Sequence, residues 1–101
     1  MRGEAWWAKT GVGGDRPVVV LTRDPLADRL GSVVVVACTR TIRGVTSEVP
    51  LDRDDGFDEP CVANFDNILT LPRVAFRRPI GPLSPAKQAL LCNALRRALA
   101  C

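Results

Sequence analysis

Hydrophobic positions along this chain change rhythm once. As far as Leu83 they gather in short runs separated by glycine, proline and acidic residues, and beyond Ser84 they recur every three or four positions. The first rhythm belongs to strands and the second to an amphipathic helix. Gly3 to Lys9 reads as a short strand whose neighbours Trp6 and Trp7 must point to opposite faces of a sheet. One therefore packs inside while the other faces solvent, a ligand or a partner chain. The glycine-rich loop Thr10 to Asp15 leads into a strand, Pro17 to Arg23, with proline at the first strand position, where no ladder donor is needed. Asp24-Pro25 breaks that strand and a helical turn is expected around Leu26 to Leu30. Gly31 then reopens an extended run, Ser32 to Thr39, whose continuous valines predict burial on both faces and a place at the centre of the sheet.

Thr41 to Leu51 alternates and reads as another strand after a turn at Arg43-Gly44. Asp52 to Glu59, DRDDGFDE, is a loop by composition, and Cys61 to Phe65 is a further short strand. Asp66 to Phe76 has no clear period. Arg77 to Leu83 is extended, with Pro79 and Pro82 confining it to a sheet edge. The final element is the best defined: Ser84 caps, Pro85 fits the first helical position, and Leu91, Leu95, Ala98 and Leu99 form an apolar stripe. Lys87, Arg96 and Arg97 are expected to face water. The fold class is mainly β, with a C-terminal α-helix packed on the sheet.

Composition narrows the function. A chain of 101 residues, 47% apolar, can bury one modest core, so a single domain is expected over 1–101. The apolar runs Val18 to Leu21 and Val33 to Cys38 are strand-sized and too short for a membrane span. The opening Met-Arg-Gly-Glu has no signal-peptide core, and a cytoplasmic location is expected. Cys38, Cys61, Cys92 and Cys101 form no C-x-x-C pair and no histidine is present to complete a zinc site, so all four read as reduced thiols, with Cys38 and Cys61 acting as small hydrophobes. DRDDGFDE resembles a calcium loop only superficially, because counted from Asp52 its glycine falls at the fifth position and Ala63 stands where a closing Glu is needed.

The net charge of +3 is spread unevenly. Residues 1–44 carry seven basic and four acidic groups, 45–70 one and seven, and 71–101 six and none. If Arg2, Arg16, Arg40, Arg43, Arg73, Arg77 and Arg78 share a face, that face attracts phosphates; otherwise they are scattered solvating charges.

Chemistry has to proceed without histidine, which removes the commonest acid-base group and any Ser-His or Cys-His nucleophile. GVGGDR precedes a strand, whereas phosphate-cradling glycine loops open helices. Arginine and threonine remain. Arg16, at the mouth of a buried strand, has the planar fork to hold a phosphate and to stabilise a phosphorane-like transition state. Thr39 reaches the same oxygens if the two valine strands pair as antiparallel neighbours. Such a pair suits RNA, which carries its own nucleophile in the 2′-hydroxyl. The plainer alternative is a surface arginine and an ordinary strand-end threonine.

MRGEAWW, GGDRPVVVLTRD, SVVVVACT, NFDNILTLP and IGPLSPAKQALLCNALRRAL together resemble the MazF/PemK family of bacterial toxins, with matches in order across nearly the whole chain. The resemblance implies a small SH3-like β-barrel with short helices, a symmetric homodimer, and a metal-independent endoribonuclease without cofactors. It implies cleavage of single-stranded RNA at short motifs to a 2′,3′-cyclic phosphate and a 5′-hydroxyl, with Arg16 and Thr39 as the catalytic pair. An antitoxin whose disordered tail lies over the RNA groove is the implied partner. Arg40 and Arg43 are expected to grip flanking backbone, and Asn64, Asp66 and Asn67 to contact base edges unless they serve as turn-forming side chains. Two departures bear on specificity: the short Thr10 to Asp15 loop, and Leu69, where relatives often carry a polar residue. The competing readings are a non-catalytic, gyrase-poison-like protein binder of the same fold, anchored through Trp6, Trp7 or the helix, and a plain RNA-binding barrel.

Overall fold

In the computed structural model, which describes residues 2–11, 13–22 and 31–99, six strands run as β1 (Glu4–Ala8), β2 (Arg16–Val20), β3 (Ser32–Thr39), β4 (Glu48–Leu51), β5 (Cys61–Pro72) and β6 (Phe76–Pro82), followed by the helix α1 (Pro85–Ala98). One-turn 3-10 helices at Arg53–Asp55 and Arg73–Ala75 precede β5 and β6. Every pairing is antiparallel, in the order β4-β5-β3-β2-β1-β6, and the sheet curls into a half-barrel. The helical turn expected around Leu26 to Leu30, the Asp24-Pro25 break and Cys101 lie outside the described residues.

Three of the four valines of β3 are buried as their run requires, while Val34 is 37% exposed. Val35 and Val36, consecutive and therefore on opposite faces, are both fully buried, and each belongs to a different core. The first core joins Ala5, Val19, Val36, Cys38 and Phe57 to Leu91 and Ala94 of α1. The second, on the other side of the sheet, gathers Ala8, Val18, Val20, Val33, Val35, Leu71 and Ala75. Each fully buried valine contributes roughly 1.5–3 kcal/mol of transfer free energy, so β1 to β3 form the rigid centre on which both ends of the strands are held. The tryptophans divide as their adjacency demands: Trp6 stacks on Phe76 at 5.7 Å against the second core, and Trp7 faces away from it.

Both edges are strands with proline, Pro50 in β4 and Pro79 in β6, as the edge positions permit. In α1, Ser84 Oγ accepts from Lys87 N at 3.1 Å, Pro85 occupies the first turn, and Leu91 and Ala94 are buried. Leu99 differs from the expected stripe: it lies past the last helical turn and is 58% exposed. Lys87 also differs, for its ammonium donates to the Pro50 carbonyl at 2.8 Å and pairs with the buried Asp55 at 3.4 Å instead of facing water. A buried carboxylate needs that counter-charge.

The strand expected over Thr41 to Leu51 is confined to Glu48–Leu51. Residues 41–45 form no strand and lead into a turn at 46–47, because Gly44 adopts φ +73° and the buried Glu48 carboxylate accepts from the N–H groups of Arg43 and Gly44. Conversely β5 runs twelve residues, past Phe65 to Pro72. Its pairing with β3 slips register, Val36 meeting Ile68 while Cys38 meets Ala63, and this irregularity bends β5 so that its first half also pairs with β4. Among the described residues no helix is long and apolar enough to cross a membrane.

Candidate active site

β2 and β3 are neighbours, with Val18 opposite Ala37, Val19 opposite Val36 and Val20 opposite Val35. Continued outward, that register sets Arg16 across from Thr39. On the other side of β2, Trp7 of β1 stands opposite Pro17. These strand ends open on a cavity of about 500 Å³ lined by Trp7, Asp15, Arg16 and Pro17, by Cys38 to Thr41, and by Phe57, Asp58, Glu59 and Cys61.

Local sequence explains each wall. Gly11 and Gly13 take left-handed conformations, φ +89° and +67°, which only glycine adopts without strain, and the chain so turned enters β2 at Arg16. At the end of β3, Thr39 Oγ1 accepts from Thr41 N at 3.2 Å, so its own O–H is left to donate to a ligand oxygen. The third wall comes from the acidic loop. Asp52 accepts from Asp54 N and donates its own N–H to Asp55, closing a capping box, and Phe57 is buried in the first core at 5% exposure. Phe57 thereby folds Asp58 and Glu59 over the cavity.

Charge is arranged around Arg16. Among the described residues its guanidinium has neither a hydrogen bond nor an ion pair, though it is half-buried in the cavity wall. Arg40 lines the same cavity and pairs with Glu59 at 2.9 Å, with both side chains mostly exposed, a contact worth about 0–1 kcal/mol and open to competition. Arg77 lies 3.8 Å from Asp15, and the Arg78 guanidinium sits 5.5 Å from the centroid of the Trp7 ring, a cation–π contact. Of the seven arginines anticipated as a shared face, Arg16 and Arg40 line the cavity, and Arg77 and Arg78 lie against its lining residues Asp15 and Trp7. Arg2 does neither, since it donates to Cys92 of α1. Arg43 does not line the cavity either; its backbone is held by Glu48 in the neighbouring loop.

Asn64, Asp66 and Asn67 also fall outside the cavity wall, on the bend of β5. Asn64 Oδ1 accepts from Asp66 N at 2.9 Å and Ser47 Oγ donates to Asp66 at 3.2 Å, so two of the three are engaged in local bonds. Leu69 pairs with Val35 and packs against the second core, which accounts for an apolar residue there. The cavity wall also holds two free thiols, Cys38 and Cys61, from the adjacent strands β3 and β5. The hydrogen bond from Cys38 draws Cys61 below the usual thiol range, and the same bond together with burial raises Cys38 well above it. Among the described residues no three His, Cys, Asp or Glu side chains converge as metal ligands do. Sequence reasoning missed Phe57, Asp58 and Glu59; the available signal was a lone phenylalanine in an otherwise acidic loop, which water alone would not hold in place.

Residues 1–99 match the family of PemK-like, MazF-like toxins of type II toxin-antitoxin systems. The probable endoribonuclease MazF2 of Mycobacterium tuberculosis is 58% identical, over 99% of this chain and 98% of that one. Probable endoribonuclease MazF5 of the same organism is 37% identical, over 99% and 93%. Among solved structures, the Mycobacterium tuberculosis toxin MazF-mt6 superposes with a TM-score of 0.88 at 34% identity over 94% of each chain. An endoribonuclease in complex with its cognate antitoxin, from a mycobacterial species, gives 0.88 at 27% identity over 98% of this chain and 93% of that one. The half-barrel with its arginine-lined cavity is therefore that of a MazF-type protein, and the chain belongs to the PemK-like, MazF-like toxins of type II toxin-antitoxin systems.

Proposed function

We propose that this toxin endoribonuclease cuts single-stranded RNA within the cavity between β2, β3 and the acidic loop, with Arg16 and Thr39 as its catalytic pair. The observation that carries the proposal is the pairing itself: Arg16 and Thr39 line one cavity from adjacent strands, and Arg16 has no partner among the described residues. An unpaired guanidinium in a half-buried wall is a site for an anion. The RNA 2′-oxygen attacks the scissile phosphorus while its proton passes to solvent, the bond from phosphorus to the 5′-oxygen breaks, and that oxygen takes up a proton. The products are a 2′,3′-cyclic phosphate and a 5′-hydroxyl. Arg16 stabilises the extra negative charge on the phosphorane-like transition state, and Thr39 donates its O–H to a phosphate oxygen.

Arg40 and Arg43 hold flanking phosphates, the first after leaving Glu59. Asp66 and Asn67, exposed on the bend of β5, meet base edges beyond the cavity, and Asn64 supports that bend from within its local turn. No cofactor or metal takes part in this scheme. A second copy of the chain and a cognate antitoxin complete the assembly, the antitoxin's disordered tail competing with RNA for the arginines; a mycobacterial relative of this fold is known in complex with its own antitoxin.

The test is incubation with a mixed RNA pool in excess EDTA, with 5′-hydroxyl ends mapped by ligation for the wild type and Arg16→Ala. Discrete ends that vanish in the variant are the expected result. RNA left intact by a wild-type protein that still arrests growth would refute cleavage and favour the capture of a protein target.

A further inference from the structure

Cys38 and Cys61 occupy the same face of adjacent strands. Cys38 pairs with Ala63, so Cys61, two residues along β5, is its diagonal neighbour on the same face. Both are buried, at 2% and 5% exposure, yet both line the cavity that holds Arg16 and Thr39. Two neighbouring thiols in the wall of an open cavity are within reach of a small oxidant and shielded from bulky ones.

We propose that Cys38 and Cys61 are a redox modification site that forms a reversible disulfide, with hydrogen peroxide or another hydroperoxide as oxidant. Cys61 ionises first, favoured by the hydrogen bond from Cys38 and by nearby Arg40. Its thiolate attacks one peroxide oxygen, the O–O bond breaks, hydroxide leaves, and Cys61 becomes a sulfenic acid. The Cys38 sulfur then displaces the hydroxyl from the Cys61 sulfur. The S–S bond forms, and the departing oxygen takes the Cys38 proton and leaves as water. Each sulfur is oxidised by one electron, and the peroxide is reduced by two.

Geometry gives the bond a consequence. Diagonal positions of an antiparallel pair lie about 7–8 Å apart at Cα, whereas a disulfide spans at most about 6.8 Å. Closure therefore draws the strands together by about 1 Å. β3 yields at this point because its pairing with β5 already slips between Val36 and Cys38. Thr39 and Arg40, the next residues of the chain, move with Cys38. A disulfide closed under such strain is readily reduced, which makes it reversible. The pairing stands independently of the nuclease reading, while its effect on cleavage rests on it.

Peptide mapping and RNA cleavage decide the matter together on full-length protein carrying Cys92→Ser and Cys101→Ser, treated with hydrogen peroxide and then with dithiothreitol. A Cys38–Cys61 linked peptide should appear and disappear in step with a loss and return of cleavage of about a hundredfold, the scale on which a misplacement of about 1 Å acts. Cys38→Ala and Cys61→Ala, tested separately in case one fails to fold, should each keep under peroxide the cleavage rate they had before it. Thiols that both still accept iodoacetamide after peroxide, or a link that leaves cleavage undiminished, would overturn the proposal. If the reduced protein cuts no RNA at all, it is the nuclease reading that fails, and the peptide map alone decides whether the pair links.

Discussion

Replacing Glu48 by alanine should loosen the loop of residues 41–47 more than any surface substitution could. The side chain is 9% exposed, and its Oε1 accepts from Arg43 N at 3.0 Å and Gly44 N at 2.9 Å, with a weaker contact from Arg43 N to Oε2 at 3.3 Å. Hydrogen bonds to a charged acceptor contribute about 1.5–3 kcal/mol each, which sets a ceiling of about 3–6 kcal/mol for the two donors. Residues 41–46 are exposed, so water reaches both N–H groups once the carboxylate is gone, and the expected loss falls to about 2–3 kcal/mol. Glu48→Gln keeps a carbonyl oxygen for both short bonds and loses only the charge, at a cost of about 1 kcal/mol. Urea unfolding reads the difference as a midpoint about 1–2 M lower for alanine, given a slope of about 1–3 kcal/mol/M. Amide exchange at Arg43 and Gly44 should quicken in alanine well before glutamine. If the two variants unfold within about 0.5 kcal/mol of each other, the carboxylate is not what holds the loop, and the reasoning fails.

Leu91→Ala, emptying a site 4% exposed between α1 and the sheet, should cost about 2–5 kcal/mol by the same urea assay. Ser84→Ala removes the acceptor for Lys87 N and should cost about 1 kcal/mol, with exchange faster in the first turn of α1 only. Phe57→Ala should release Asp58 and Glu59 from the cavity and free Arg40 from its competing carboxylate, lowering KM for RNA in steady-state cleavage. Because the bond from Cys38 holds Cys61 below the usual thiol range, its thiolate forms first as pH rises. Iodoacetamide labelling of Cys61, followed by mass spectrometry across pH, should therefore move to higher pH in Cys38→Ala.

What the chain disclosed in advance depended on how local the cause was. The two-sided burial of β3, the proline-marked edge of β6 and the capped helix follow from residues adjacent in sequence, and each was legible. So was the meeting of Arg16 with Thr39, which needs only the antiparallel pairing of two valine runs. The path from Asp66 to Pro72 was not, because the register slip opposite Val36 and Cys38 disturbs the alternation by which a strand is recognised. Residues 41–45 alternate like a strand, yet a single carboxylate from Glu48 binds their backbone, and no periodicity records that bond. The acidic wall escaped notice for a related reason: composition describes DRDDGFDE as solvated, while Phe57 commits it to the core.

The ion pair between Arg40 and Glu59 also changes what salt can do to this protein. Nucleic-acid affinity falls with salt because bound phosphates set free the ions condensed on them, one contact at a time. Here Glu59 beside Arg40, and Asp15 beside Arg77, are counterions built into the chain. A polyanion entering the cavity displaces these tethered carboxylates, which no rise in salt concentration can supply or remove. Salt weakens the tethered pairs along with the phosphate contacts that replace them, so the two losses offset each other. With RNA in the cavity as proposed, the number of arginines there thus overstates the salt sensitivity of binding, because Arg40 and Arg77 each give up a tethered carboxylate when a phosphate takes its place.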